Sequence, residues 1–491
     1  MVFPILGSGD SSAAGYDIEN SLRFNDDDSP YLNKTFGSAG SRRIFTISFW
    51  MKLAEIATSA QHIFFCGSGT TYADIHINSQ LLNFASEHDG AGTVFRLQTN
   101  RIFRDPSAWY HVVIGVNTTL GTAASRMDMF INGVEETSFA TATYPAQNLD
   151  TTWTNSVSHE IGGYDSSQTI SNEYDGYLAD FYFIDGTYDS GSGGNNGASA
   201  FGEFDDSGTW KPKEYAGSYG TNGFFLEFKQ SGVGAGSSST VGADTSGNDH
   251  HFTSNAMAST DQTTDTPTNN FCTLNPLENK FSATLSEGNT QNQTRSDNST
   301  NGLVYGTMGV QNGKWYWEVQ IASTGSGQSH SAIGIAGDDS LHRGWLGEGT
   351  NQRAVLGHQG NKVSNGSSPT SYGSAMSGGS DICSVALDMD NGKIWFAKNG
   401  TWFASGDPAA GSNAAFDDLL SSGNFGSGTF CLPAIADNNY GDAILFKCNF
   451  GGTSAFTVSS GNADGNGYGN FEYAPPSGFY ALCTKNLAEY G

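Results

Sequence analysis

A glycoside is cleaved by two carboxylates held at a fixed separation, about 5 Å when the configuration is retained. A strand spelled E-x-D-x-x-E would set such a pair on one face, and the 491-residue chain has none. Its nearest approach, Tyr72-Ala73-Asp74-Ile75-His76-Ile77, offers one carboxylate, and Asp26-Asp27-Asp28 sits in a turn-like run. His111 lies in an alternating apolar stretch with no serine or cysteine nucleophile motif beside it, which suits a core or surface histidine better than a general base. The densest metal-capable set is His250-His251 beside Asp244 and Asp249, but D-x-S-G-N is first of all a turn and the ligand count is incomplete. Six cysteines, at 66, 272, 383, 431, 448 and 483, show no C-x-x-C spacing, which argues against a zinc or redox site. Buried free thiols are expected, with Cys431 and Cys448 as candidate cross-strand neighbours. Neither a phosphate-binding G-x-x-x-x-G-K-[ST] loop nor a dinucleotide fingerprint occurs, so no cofactor is expected; a structural divalent cation such as calcium is left open.

What remains is recognition. Trp345 in H-R-G-W-L-G, Tyr372, Trp402 and Tyr440 can stack on sugar rings, or else cap the ends of the fold. Segment 341–349 stands out because Arg343 adds a charge to the apolar plate of Trp345 in a glycine-punctuated loop. Arg343, Trp345, Tyr372 and Trp402 are therefore the candidate ligand-binding residues, and no catalytic set is assigned.

The charge balance narrows the partners. Lys plus Arg number 22 against 49 Asp plus Glu, a formal net charge of −27, and such a field repels phosphate backbones and anionic membranes. Nucleic acid and membrane insertion are excluded as expectations. The opening M-V-F-P-I-L-G-S-G-D has no basic region and too few apolar residues for a secretory signal or a span, so a soluble chain outside the general secretory route is expected.

The elements that must position these residues read as strands. With 64 glycines, 12% aromatic residues and 14% charged ones, the composition suits an all-β protein. In G-K-W-Y-W-E-V-Q-I, residues 313–321, Trp315, Trp317, Val319 and Ile321 fall on one face and Lys314, Tyr316, Glu318 and Gln320 on the other. Asn391-Gly392 and Asn399-Gly400 break 384–403 into a three-stranded meander. Earlier in the chain, strands are expected at 44–51, 63–66, 72–77, 81–85, 109–116 and 176–183, with Asn132-Gly133 closing a hairpin. The run S-G-S-G-G-N-N-G-A-S reads as a flexible linker, and the serine- and glycine-rich 231–239 as a second protease-sensitive loop.

The W-Y-W-E strand, the L-D-M-D-N-G-K-I-W-F-A-K-N-G hairpin, Ile333-Gly334-Ile335-Ala336 and Leu432-Pro433-Ala434 together resemble the SPRY domain over 303–487. The L-R-F, T-I-S-F-W, W-Y-H-V, F-I-N-G, I-G-G and G-Y-L-A-D-F pieces, in that order, resemble a laminin-G-like, concanavalin A-like jelly roll over 15–188. The resemblances imply two antiparallel β-sandwiches, residues 1–190 and 281–491, joined by a small β connecting module at 191–280. The tandem is similar to virion structural proteins of marine bacteriophages. That likeness implies a non-enzymatic fibre or appendage component, assembled in the host cytoplasm into the virion, homo-oligomeric among other virion proteins, and binding host surface glycan or protein. A capsid decoration protein without a ligand is the competing reading, and a glycan-cleaving enzyme the third.

Overall fold

Alternation at period two decides the layers. In this computed structural model the chain is described at residues 15–56, 59–88, 92–165, 170–188, 197–280, 284–294, 302–323, 331–338, 345–376, 378–421, 424–425, 428–437 and 443–491. It divides into two compact units, Asp10–Thr268 and a second containing Asn269–Gly491. Both are antiparallel sandwiches, and the one α-helix among the described residues is the short Thr484–Tyr490. No described helix is long and apolar enough to cross a membrane.

The first unit packs one eight-stranded sheet on another. Central to the first sheet is Ile44–Leu53, paired with Tyr110–Asn117 on one side and Gly176–Asp185 on the other. Its Phe45, Ile47, Phe49 and Met51 enter the core, and Phe49 and Phe45 stack on Phe181 and Phe183 of the neighbouring strand at 5.1 and 5.4 Å. The second sheet answers with Phe64, Ile75, Phe84 and Leu97, which lie in register across four adjacent strands. Asn132 and Gly133 both take positive φ, 49° and 75°, the two-residue turn that their types favour.

The segment expected as a separate connecting module is largely part of this first sandwich. Phe224–Leu226 pairs with Gly176–Asp185, Thr253–Asn255 with Tyr31–Thr35, and Gln262–Thr263 with Ser21–Phe24. Phe224, Leu226, Val241 and Phe252 fill its core. Two buried ion pairs clamp the return: Lys52 Nζ lies 2.8 Å from Asp265 Oδ2, and Arg23 Nη2 2.7 Å from Asp261 Oδ1. The 231–239 loop is tied as well, since Gly232 N donates to Ser239 O and Gly234 N to Ser254 Oγ. Of the linker expected at 190–199, residues 190–196 lie outside the described residues, and its end is anchored instead of free: Gly197–Ala200 form a 3-10 turn in which Gly197 and Ala198 are buried. From Asn269 onward the chain belongs to the second unit, where Leu274–Lys280 pairs with Gly302–Gly306.

In the second unit a seven-stranded sheet packs on an eight-stranded one. Trp315, Trp317, Val319 and Ile321 of Lys314–Ser323 enter its core as the alternation predicts, against Ile333, Ile335 and Ile435. Tyr316 and Glu318 face away and are buried too, because the late segment with Phe471 and Phe479 folds over them. Glu318 anchors that cover: Oε1 accepts from Tyr316 Oη at 2.9 Å and Tyr473 N at 2.8 Å, and Oε2 from Glu472 N at 2.9 Å and Asn449 Nδ2 at 3.2 Å. All six cysteines are free and buried; Cys431 and Cys448 sit in strands of different sheets, so the expected cross-strand neighbours are not neighbours.

Candidate functional site

The second sheet of the first sandwich turns a polar face away from its core. Asn33, Glu160, Phe65, Asp74, Ala85 and Arg96 form one row across it, and His62, His76, Asn83 and Gln98 the next. On Thr71–Asn78, Asp74 and His76 are two apart and so share this face, while Ala73, Ile75 and Ile77 fill the core. His62 reaches it by a different route. Residue parity on Gln61–Ser68 would send it inward with Phe64 and Cys66, but the register slips by one residue between His62 and Phe64. This bulge leaves His62 opposite His76, a re-aiming for which β-bulges are common near functional sites.

The three side chains converge. Asp74 Oδ2 lies 2.8 Å from His76 Nδ1 and 3.2 Å from His62 Nδ1, and the ligand atoms of all three lie within 4.8 Å of one another. Tyr164 stacks on His62 at 4.8 Å and meets Phe65 edge-on at 4.7 Å. His62, Asp74 and His76 are buried at 7%, 2% and 8% exposure. Burial alone would raise the Asp74 carboxyl, but the interactions with the two histidines beside it outweigh that and hold it at about 2. Beside the triad runs a half-exposed strip, Tyr72, Glu87, Arg96 and Gln98, in which Arg96 Nη2 and Glu87 Oε1 stand 3.6 Å apart.

Other chemistry-bearing residues are already occupied. His111 Nε2 and Ser48 Oγ are 2.9 Å apart, the spacing of a nucleophile and its base, but Trp210 Nε1 donates to His111 Nδ1 at 3.0 Å. The proton therefore sits on Nε2 and points at Ser48, the wrong tautomer for accepting a serine proton. Burial also pushes the His111 pKa down to about 3, keeping the ring neutral. The D-T-S-G-N stretch is a turn: the Asp244 carboxylate accepts from the amides of Phe225, Ser246 and His250 at 2.8–2.9 Å, and His251 Nδ1 accepts from Asp244 N. In the cleft around Arg42, Arg43 and Thr119, Arg42 donates to the carbonyls of Thr151 and Asp150 and Arg43 to the Asp150 carboxylate.

Of the loop residues singled out in the sequence, the three that are described, Trp345, Tyr372 and Trp402, pack on three different clusters. Arg343 and Tyr440 lie outside the described residues. Trp345 packs against the cluster of Leu303, Tyr305 and Val363. Tyr372 packs on the main core of the second sandwich, edge-on to Phe403 at 5.9 Å, with Lys362 Nζ above its ring at 5.6 Å. Trp402 packs on a third cluster with Trp395 and Phe471. Their spacing carried no information about which cluster each would join. The triad was hidden because a bulge cannot be read from alternation, although Asp74 and His76 at i, i+2 were the available sign.

Both units are β-sandwiches, the first carries a polar sheet face, and no paired catalytic set occurs among the described residues. Residues 26–190 match the family model of the concanavalin A-like lectin/glucanases superfamily, and residues 314–422 that of the SPRY domain. The chain thus carries a concanavalin A-like domain followed by a SPRY domain. The crystal structure of the SPRY domain of human HERC1 is similar at 18% identity over 36% of this chain and 96% of that one, with a TM-score of 0.29. The native heptameric SAP-like pentraxin from Limulus polyphemus is similar at 16% identity over 36% of this chain and 80% of that one, with a TM-score of 0.26. No curated protein matches.

Proposed function

We propose that this protein binds glycan and does not cut it, as a fibre or appendage component of a bacteriophage virion that meets the host surface. The observation that carries the reading is the strip beside the triad on the first sandwich. Tyr72 and Tyr164 offer apolar plates to the C–H faces of sugars, while Glu87, Arg96 and Gln98 offer donors and acceptors for hydroxyls. Asp74 is not kept protonated for acid catalysis, since the two histidines beside it hold its carboxyl low. Copies assembled with other virion proteins, and with one another, multiply a weak single-site affinity through effective concentration. The virion setting rests on the tandem's likeness to phage structural proteins and on a net charge of −27, which disfavours nucleic acid as the ligand.

Host envelope polysaccharide tests the proposal. Purified protein should bind it without releasing reducing ends, and Tyr72→Ala with Arg96→Ala should weaken binding roughly tenfold, about 1.4 kcal/mol. Release of reducing ends that disappears in Glu87→Gln overturns the non-enzymatic reading, and binding abolished by protease treatment of the host surface redirects it to a protein ligand. Quantitative protein analysis of purified particles gives the location: few copies for an appendage, many for capsid decoration.

A further inference from the structure

We propose that His62, Asp74 and His76 bind a divalent cation of the zinc class, with two imidazoles and one carboxylate as ligands and a fourth position for water or a ligand oxygen. The proposal is independent of glycan binding by the neighbouring strip. Donor chemistry selects the metal: two imidazoles to a single carboxylate suit borderline cations, whereas calcium takes six to eight oxygens. Geometry agrees. Bonds of about 2.0–2.2 Å in a tetrahedron set ligand atoms roughly 3.4 Å apart, and the separations here are 2.8 and 3.2 Å to Asp74 Oδ2 with all three atoms inside 4.8 Å.

Two further observations point to a ligand. Asp74 Oδ1 is buried and accepts no hydrogen bond, and His62 Nδ1, although 3.2 Å from Asp74 Oδ2, is not directed along a hydrogen bond to it. Orphaned polar atoms in a buried cluster are costly unless something else satisfies them. The fold also spends a bulge on bringing His62 out of the core row to face His76, and a one-residue irregularity inside a central strand is a feature to be explained. Tyr164, stacked on His62, fixes the plane of that ring. Cys66, on the same strand, lies in the core cluster, so the donor set is nitrogen and oxygen without sulfur.

The test uses the full chain after chelator treatment and dialysis. Titration with zinc should saturate at one equivalent, and cobalt should give visible d–d absorption of a low-coordinate nitrogen and oxygen site that zinc displaces. The absorption should be lost in His76→Ala and in Asp74→Asn. In the unsubstituted chain zinc should move the imidazole NMR signals of two of the ten histidines, a readout that needs no variant to fold. Absence of stoichiometric uptake, uptake unchanged in a folded His76→Ala chain, or shifts confined to His250 and His251 would each overturn the assignment.

Discussion

Asp180 combines burial with a left-handed backbone conformation. It takes φ 43° inside Gly176–Asp185, at the irregularity where the pairing with Ile44–Leu53 shifts register, and is 3% exposed. Burial pushes its carboxyl up to about 7, with the Glu227 charge adding to the rise, against hydrogen bonds from the Tyr16 and Tyr182 hydroxyls. Because the folded pKa lies above the unfolded value of 3.8, the folded state holds this proton across a window in which the unfolded state has released it. Stability contributed by the protonated group is full below about pH 4, falls as pH rises, and is lost above about pH 7. Asp175, also raised by burial, tilts the profile the same way. Asp180→Asn should therefore lose less stability between pH 4.5 and 7.5 than the parent, by on the order of 3 kcal/mol at most. Urea midpoints at the two pH values measure this, and equal losses in both chains refute it.

At the scale of elements, the strands after 197 join the first sandwich through charge as well as apolar packing. Lys52 and Asp265 are 213 residues apart in sequence, yet both side chains are 1% exposed and 2.8 Å apart. Asp265→Ala strands a buried ammonium and should destabilise the first unit by about 3–5 kcal/mol, whereas Lys52→Met with Asp265→Ala should recover most of that. Denaturant unfolding of the single and double variants decides it; a double variant no better than the single one would show that Asp265 acts through packing instead. Phe45, Ile47 and Phe49 announce their strand by alternation, and Asn132-Gly133 announces its turn by the φ both residues tolerate. Nothing local tells Asp265 that its partner is Lys52, or His62 that an inserted residue turns it toward His76. Period two fixes faces only while the register holds. Both the domain boundary and the triad depend on contacts that local pattern does not encode.

For the whole molecule, two separate cores imply two separable unfolding events. Trp317 is 1% exposed in the second core, and Trp317→Ala should lower that unit's transition by about 3–5 kcal/mol while the first unit's transition stays in place. Calorimetry in which both transitions fall together would refute independent cores. The free thiols give that experiment an address. Cys66 belongs to the first unit, and Cys272, Cys383, Cys431, Cys448 and Cys483 to the second, every one buried. A maleimide meets these sulfurs only after a sandwich opens, so intact mass counts the event: one added label marks the first unit, five mark the second. The unequal distribution of cysteine is thus a bar code from which a mass spectrum of a stressed sample names the half that failed.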